Sequence, residues 1–135
     1  MQTADTDPSE VEAQMAAAFA NDRYGSETAA MRYYDAAWAL GIPADKRNRF
    51  MVGYGSTLRN NRRLDDSLAV HRQAIVDYPD FAAHHAFLAL VLNDLGRHDE
   101  AIAAALTALV DAGSENLDGY DRALRQYRDV LADKK

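Results

Sequence analysis

The chain has 135 residues, 48% hydrophobic and 27% charged, with a net charge of −6 and no cysteine. That length suits a single core, and the composition is too apolar for intrinsic disorder. The acidity argues against general nucleic-acid binding, the lack of cysteine excludes disulfides and thiolate chemistry, and no apolar run could span a membrane.

Residues 1–10 carry Asp5, Asp7 and Pro8 without apolar periodicity and read as a flexible tail, followed by one domain over 11–135. The polar, acidic start contains no signal peptide, so a cytoplasmic location is expected. The first helix is expected over Ser9–Arg23, with Val11, Met15 and Phe19 four residues apart. Ser9 and Glu12 form its capping box, and Gly25 closes it. The second runs from Ser26 to Leu40, burying Ala30, Met31, Tyr34, Ala37 and Trp38, and stops at Gly41 ahead of Pro43. Asp45 caps a third over Lys46–Asn60. The fourth covers Leu64–Tyr78 and stops at Pro79; the fifth, Phe81–Leu95, stops at Gly96; the sixth, Asp99–Asp111, stops at Gly113. The last, Leu117–Asp133, shows an apolar stripe of Leu117, Tyr120, Leu124, Tyr127 and Leu131, with Asp118–Arg122 and Asp121–Arg125 pairs outside it. Strand-like alternation is missing, so the fold class is all-α, with antiparallel neighbours on short connections.

The stretch 61–79 aligns with 95–113 at an offset of 34 residues. Leu64 falls on His98, Asp65 on Asp99, Ser67 on Ala101 and Ala74 on Ala108, and the preceding helices place Gly55 on Ala89 and Leu58 on Leu92. A third copy, 25–43, joins once an insertion at Asp45–Arg47 is allowed, adding Ala30 and Ala37 to the two small-residue positions. Small residues recur where helices touch, and Leu58, Leu92, Tyr34 and Leu64 fill the gaps around them.

This unit, with its LG-x-x-(D/E)-EA pattern and closing proline, resembles the tetratricopeptide repeat (TPR). The resemblance implies repeats at 11–44, 48–81 and 82–115, with 117–133 as a C-terminal capping helix of an α-α superhelix. Met51 and His85 stand where the family has an early aromatic, Arg62 replaces the glycine of the inter-helix turn, and Gly113 replaces the closing proline. The first repeat is atypical, as terminal repeats are. Family members bind a peptide or partner protein in a groove lined by the first helix of each pair. Carried over, the partner-binding groove is Met15, Phe19, Arg49, Val52, Ser56, Arg59, Asn60, Ala86, Leu90 and Asn93. Met15 and Phe19 stand where carboxylate-clamping members need lysine and asparagine, which disfavours that specialisation.

Lys46, Arg47, Arg49, Arg59, Arg62 and Arg63 fall within 46–63, where there is no acid. Arg59, Arg62 and Arg63 complement a helix C-terminus, whereas Lys46, Arg47 and Arg49 open a helix, where cations are disfavoured. The strip is either a solvated face or a dock for an acidic partner. His71, His84, His85 and His98 read as packing histidines rather than a metal site. GYGST (53–57) lacks a phosphate loop's ending and falls in a helix, with Gly55 as the packing glycine. No catalytic residue, cofactor or metal site is expected, and so no enzyme. Tyr24, Tyr33, Trp38, Tyr120 and Tyr127 are many large aromatics for a short array, and short TPR proteins resemble dimer formers. The expected function is a protein–protein interaction module; the alternative is a homodimer whose groove or end helix is filled by its own second subunit.

Overall fold

In the computed structural model, which describes residues 8–133, every regular element is helical: α1 (Pro8–Tyr24), α2 (Glu27–Leu40), α3 (Ala44–Asn60), α4 (Leu64–Asp77), α5 (Ala83–Asp94), α6 (His98–Gly113) and α7 (Asp121–Ala132). A short 3-10 turn, Ser114–Asn116, follows α6. The chain divides into two units, one ending at Arg63 and the other beginning at Leu64, so the boundary falls inside the second 34-residue copy.

In the first unit α2 packs on α1 and α3 packs on α2. Ser26 caps α2 by accepting from the Thr28 and Ala29 amides at 3.1 and 3.4 Å. Gly41, at φ 95°, ends it by turning its N–H back to the Ala37 and Trp38 carbonyls. Ala30, Met31, Tyr34 and Ala37 are buried as the spacing requires, while Trp38 is only half-buried. The core is aromatic. Phe50 has the rings of Tyr34, Tyr54, Trp38 and Phe19 at 5.3, 5.7, 6.1 and 6.4 Å, a cluster whose pairs contribute about 0.5–1.5 kcal/mol each beyond buried area. Asp35 on α2 accepts from Tyr54 Oη (2.6 Å) and Arg63 Nη1 (2.7 Å), and Glu27 accepts from Asn60 Nδ2 (2.6 Å), fixing α3 against α2.

Two helix starts differ from expectation. Ser9 lies inside α1 behind Pro8, which suits the first turn because it has no N–H to leave unpaired. Asp45 likewise lies inside α3, and Pro43 takes the cap position with no side-chain hydrogen bond. Of the expected tail, residues 8–10 are helical, and 1–7 lie outside the described residues.

In the second unit α4 packs on α5, α5 on α6 and α6 on α7. Leu92, Ala101 and Ala104 form a buried cluster, with Leu68, Leu88 and Ala89 against it. The final helix begins four residues later than the apolar stripe suggests. Asp118 (φ 51°) and Gly119 (φ 83°) are left-handed and turn the chain, so Leu117 and Tyr120 precede α7. The Asp121–Arg125 pair forms at 2.8 Å, and Asp118 stands outside the helix that would have paired it with Arg122.

The 34-residue offset is visible in the backbone. Arg63 N–H donates to the Leu58 carbonyl at 2.9 Å, and Arg97 N–H to that of Leu92 at 2.9 Å. Arg62 N–H reaches the Arg59 carbonyl at 2.9 Å, and Gly96 N–H that of Asn93 at 3.0 Å. Both helices thus close on the same Schellman turn, with the left-handed position filled by Arg62 (φ 63°) once and Gly96 (φ 77°) once. The small positions repeat as well: Ala30, Ser67 and Ala101 are buried, as are Ala37 and Ala74, while Ala108 is half-buried. An L-residue in the left-handed region costs roughly 1–2 kcal/mol, part of which glycine returns as unfolded-chain entropy. Arg62→Gly is therefore expected to stabilise the chain by about 0.5–1 kcal/mol, read as a raised urea midpoint at constant slope. A midpoint unchanged or lowered would show that the side chain's own contacts outweigh the strain.

Candidate protein-interaction surface

Each expected groove residue has a definite place. On α1, Met15 is a core residue at 3% exposure, and one turn later Phe19 meets solvent at 42%. Met15 is thereby corrected from surface to core: residues four apart differ by about 40° around a helix, and Phe19 lies at the solvent edge of the face on which Met15 is buried. Phe19 is held from behind by edge contacts to Tyr34 (6.0 Å) and Phe50 (6.4 Å). With Asp22 and Arg23 it lines a concavity of about 380 Å³. Asp22 accepts a 2.8 Å hydrogen bond from Tyr34 Oη. Burial, and then the adjacent Asp22 carboxylate, raise the Tyr34 phenol far above its ordinary pKa, so it stays a donor at any physiological pH.

On α3, Arg49, Val52, Ser56 and Arg59 follow one face at helical spacing. Arg49 is exposed, and Val52, Ser56 and Arg59 are half-buried. The Ser56 hydroxyl is buried with no hydrogen-bond partner among the described residues. Asn60 is exposed, although its amide is engaged by Glu27. The Phe19–Phe50 contact and a Lys46–Glu12 ion pair (2.7 Å) place α1 beside α3, so Phe19 and the α3 face belong to one unit. In the second unit Ala86, Leu90 and Asn93 form one exposed face of α5, with Asn93 Oδ1 2.9 Å from His98 Nδ1.

The basic strip has internal partners. Lys46 holds Glu12 with both carboxylate oxygens, and its pKa is raised by that carboxylate. Arg47 lies 5.2 Å over the Trp38 ring, and Arg63 pairs with Asp35. Two of the three cations that open α3 are thus accounted for by neighbours distant in sequence. Arg49 is the exposed one that remains.

His71 and His84 are fully buried, His85 half-buried and His98 exposed. They join no group of three metal-ligating side chains among the described residues. Among the aromatics, Tyr33 lies against Arg32, whereas Tyr120 and Tyr127 are 68% and 66% exposed. Of the Tyr24 side chain nothing is described. In GYGST, Gly55 is buried, and Gly53 is under steric pressure, since a β-carbon there would stand 2.5 Å from Tyr34 Oη. Sequence reasoning missed it because the contact joins two helices outside the repeat signature.

A family model described as tetratrico peptide repeat matches residues 11–131. The chain belongs to the tetratricopeptide repeat family. No curated protein and no solved structure gave a match. Tetratricopeptide repeats typically serve as protein–protein interaction scaffolds rather than catalysts, and the match runs from α1 through nearly all of α7. No helix among the described residues is long and apolar enough to cross a membrane.

Proposed function

We propose that this tetratricopeptide repeat chain is a cytoplasmic interaction module that binds a peptide or partner-protein segment on the outer faces of its first helices. The observation that carries this reading is Phe19, a large aromatic open to solvent beside a concavity yet braced by two core rings. A braced aromatic gives contact area at little entropic cost, which is what a binding anchor needs. Arg49 and Arg59 on α3 add charge that favours a partner with acidic residues flanking an apolar anchor. The Glu12 and Asp35 carboxylates offset the charges of Lys46 and Arg63.

The test begins with peptides selected from a random library on the immobilised chain. Phe19→Ala is expected to weaken the selected peptides by tenfold or more, about 1.4 kcal/mol, with helicity unchanged. Arg49→Glu with Arg59→Glu should slow association and flatten its salt dependence. Peptides indifferent to Phe19→Ala would refute the anchor.

A second reading, a homodimer through the end helix, draws on Tyr120, Tyr127 and Val130, all exposed at or on α7. Sedimentation at two concentrations decides it: a strict monomer removes that reading and leaves the first in place.

A further inference from the structure

The second unit contains a cavity of about 270 Å³ that the interaction surface does not use. Arg72 from α4, His85 from α5 and Arg128 from α7 line it together with the apolar Leu88 and Leu92. Three nitrogen-bearing side chains from three helices converge on one small hollow in a chain whose net charge is −6. The volume is just under the range of roughly 300–1,000 Å³ usual for small-molecule pockets, so any occupant is small.

The charges in and around this cavity can be accounted for one by one. Its lining includes a single acid, Glu100, whose two carboxylate oxygens are taken by Arg97 at 2.6 and 2.8 Å. Arg128 turns Nε and Nη2 toward the exposed Asp129 at 3.0 and 2.9 Å, which leaves its Nη1 hydrogens for another acceptor. Arg72 has no hydrogen bond or ion pair among the described residues. Burial, reinforced by Arg128 and opposed by Asp111, holds the His85 imidazole below its ordinary pKa, so it enters as a neutral hydrogen-bonding ring. Within the lining itself Arg72 and Arg128 outnumber Glu100 by one positive charge, and Asp111 acts on His85 from outside the lining. One surplus charge suits a monoanion and disfavours a phosphate dianion. The planar guanidinium fork matches a carboxylate, and the leucines offer an apolar body a dry wall.

We propose that this cavity binds a small monocarboxylic acid with a short apolar body, its carboxylate held by Arg72 and Arg128 and its chain lying along Leu88 and Leu92. The site is separate from the Phe19 surface, and its occupant would report on, or stabilise, the packing of α4, α5 and α7 in this unit.

Titration of the isotope-labelled full chain, followed by amide chemical shifts, tests it with four probes: hexanoate, benzoate, hexanamide and inorganic phosphate. The expected result is saturable binding of at least one acid with Kd on the order of millimolar, with shifts centred on Arg72, His85 and Arg128. Hexanamide and phosphate should bind roughly tenfold more weakly or not at all. Arg72→Gln, on an exposed side chain, should weaken the acid by roughly tenfold without altering the far-UV spectrum, and Arg72→Lys should recover part of the loss. Failure of both acids to saturate, equal binding of the amide, phosphate binding as tightly as the acids, or indifference to Arg72→Gln would each overturn the proposal.

Discussion

Gly53→Ala is expected to destabilise the first unit by roughly 3 kcal/mol, even though alanine is the better helix former by about 1 kcal/mol. The reason is Tyr34. A β-carbon at position 53 would meet Tyr34 Oη at 2.5 Å, Cζ at 3.2 Å and Cε1 at 3.3 Å. Tyr34 has nowhere to retreat: it is buried, ringed by Phe19, Phe50 and Tyr54, and tied through its hydroxyl to Asp22. Overpacking of a fixed ring costs about 1–3 kcal/mol, and breaking a hydrogen bond to a carboxylate about 1.5–3 kcal/mol more, so the propensity gain is outweighed. Trp38, the single tryptophan and a neighbour of Phe50 and Tyr54, lets fluorescence follow this unit during urea unfolding. Tyr34→Phe supplies the control. Alone it should destabilise, and in the Gly53→Ala background it should restore stability, giving a coupling above about 1.5 kcal/mol. Additive effects would show that the pressure at Gly53 lies elsewhere.

The second large effect is acid sensitivity at His71. Its ring is fully buried on α4, stacked 6.0 Å from Phe87, and neither nitrogen has a hydrogen-bond partner among the described residues. Burial, with a smaller contribution from His84, lowers its pKa to about 4. His84 on α5 is itself lowered, by burial and by His85. The unfolded chain binds the His71 proton near pH 6.5 and the folded chain does not until about pH 4. The stability tied to the neutral ring is therefore complete above pH 6.5 and is lost as pH falls toward 4, on the order of 3 kcal/mol in all. His71→Leu removes the titration and the two unpartnered nitrogens. Amide exchange in α4 and α5 should show wild type and variant close together at pH 7, and the variant better protected near pH 4.5. Parallel pH profiles would contradict the assignment to His71.

Helix order and period were legible because local chemistry decides them. Gly25, Gly41 and Gly96 close helices, small residues recur at an offset of 34, and Phe50, Leu58 and Leu92 fill the space between. The start of α7 was hidden because Leu117, Tyr120 and Leu124 keep helical spacing straight across a left-handed turn at Asp118–Gly119. Gly119 was the available signal, and periodicity overrode it. The site was less legible. A four-residue spacing aligns Met15 with Phe19, but which of them faces water depends on Tyr34 and Phe50, contributed by other helices. Lys46 and Arg47 run against the helix-dipole preference at the start of α3, and their partners, Glu12 and Trp38, come from other helices.

Docking of a partner beside Phe19 on the first helices can be read out by site-specific photo-crosslinking. A photoreactive side chain placed at position 19, and in a separate variant at Ile102, which is also exposed but lies on α6, is irradiated with a library-selected peptide. An adduct that excess unlabelled peptide competes away is expected at position 19, and none at position 102. Adducts at 102 alone, or equally at both positions, would contradict it.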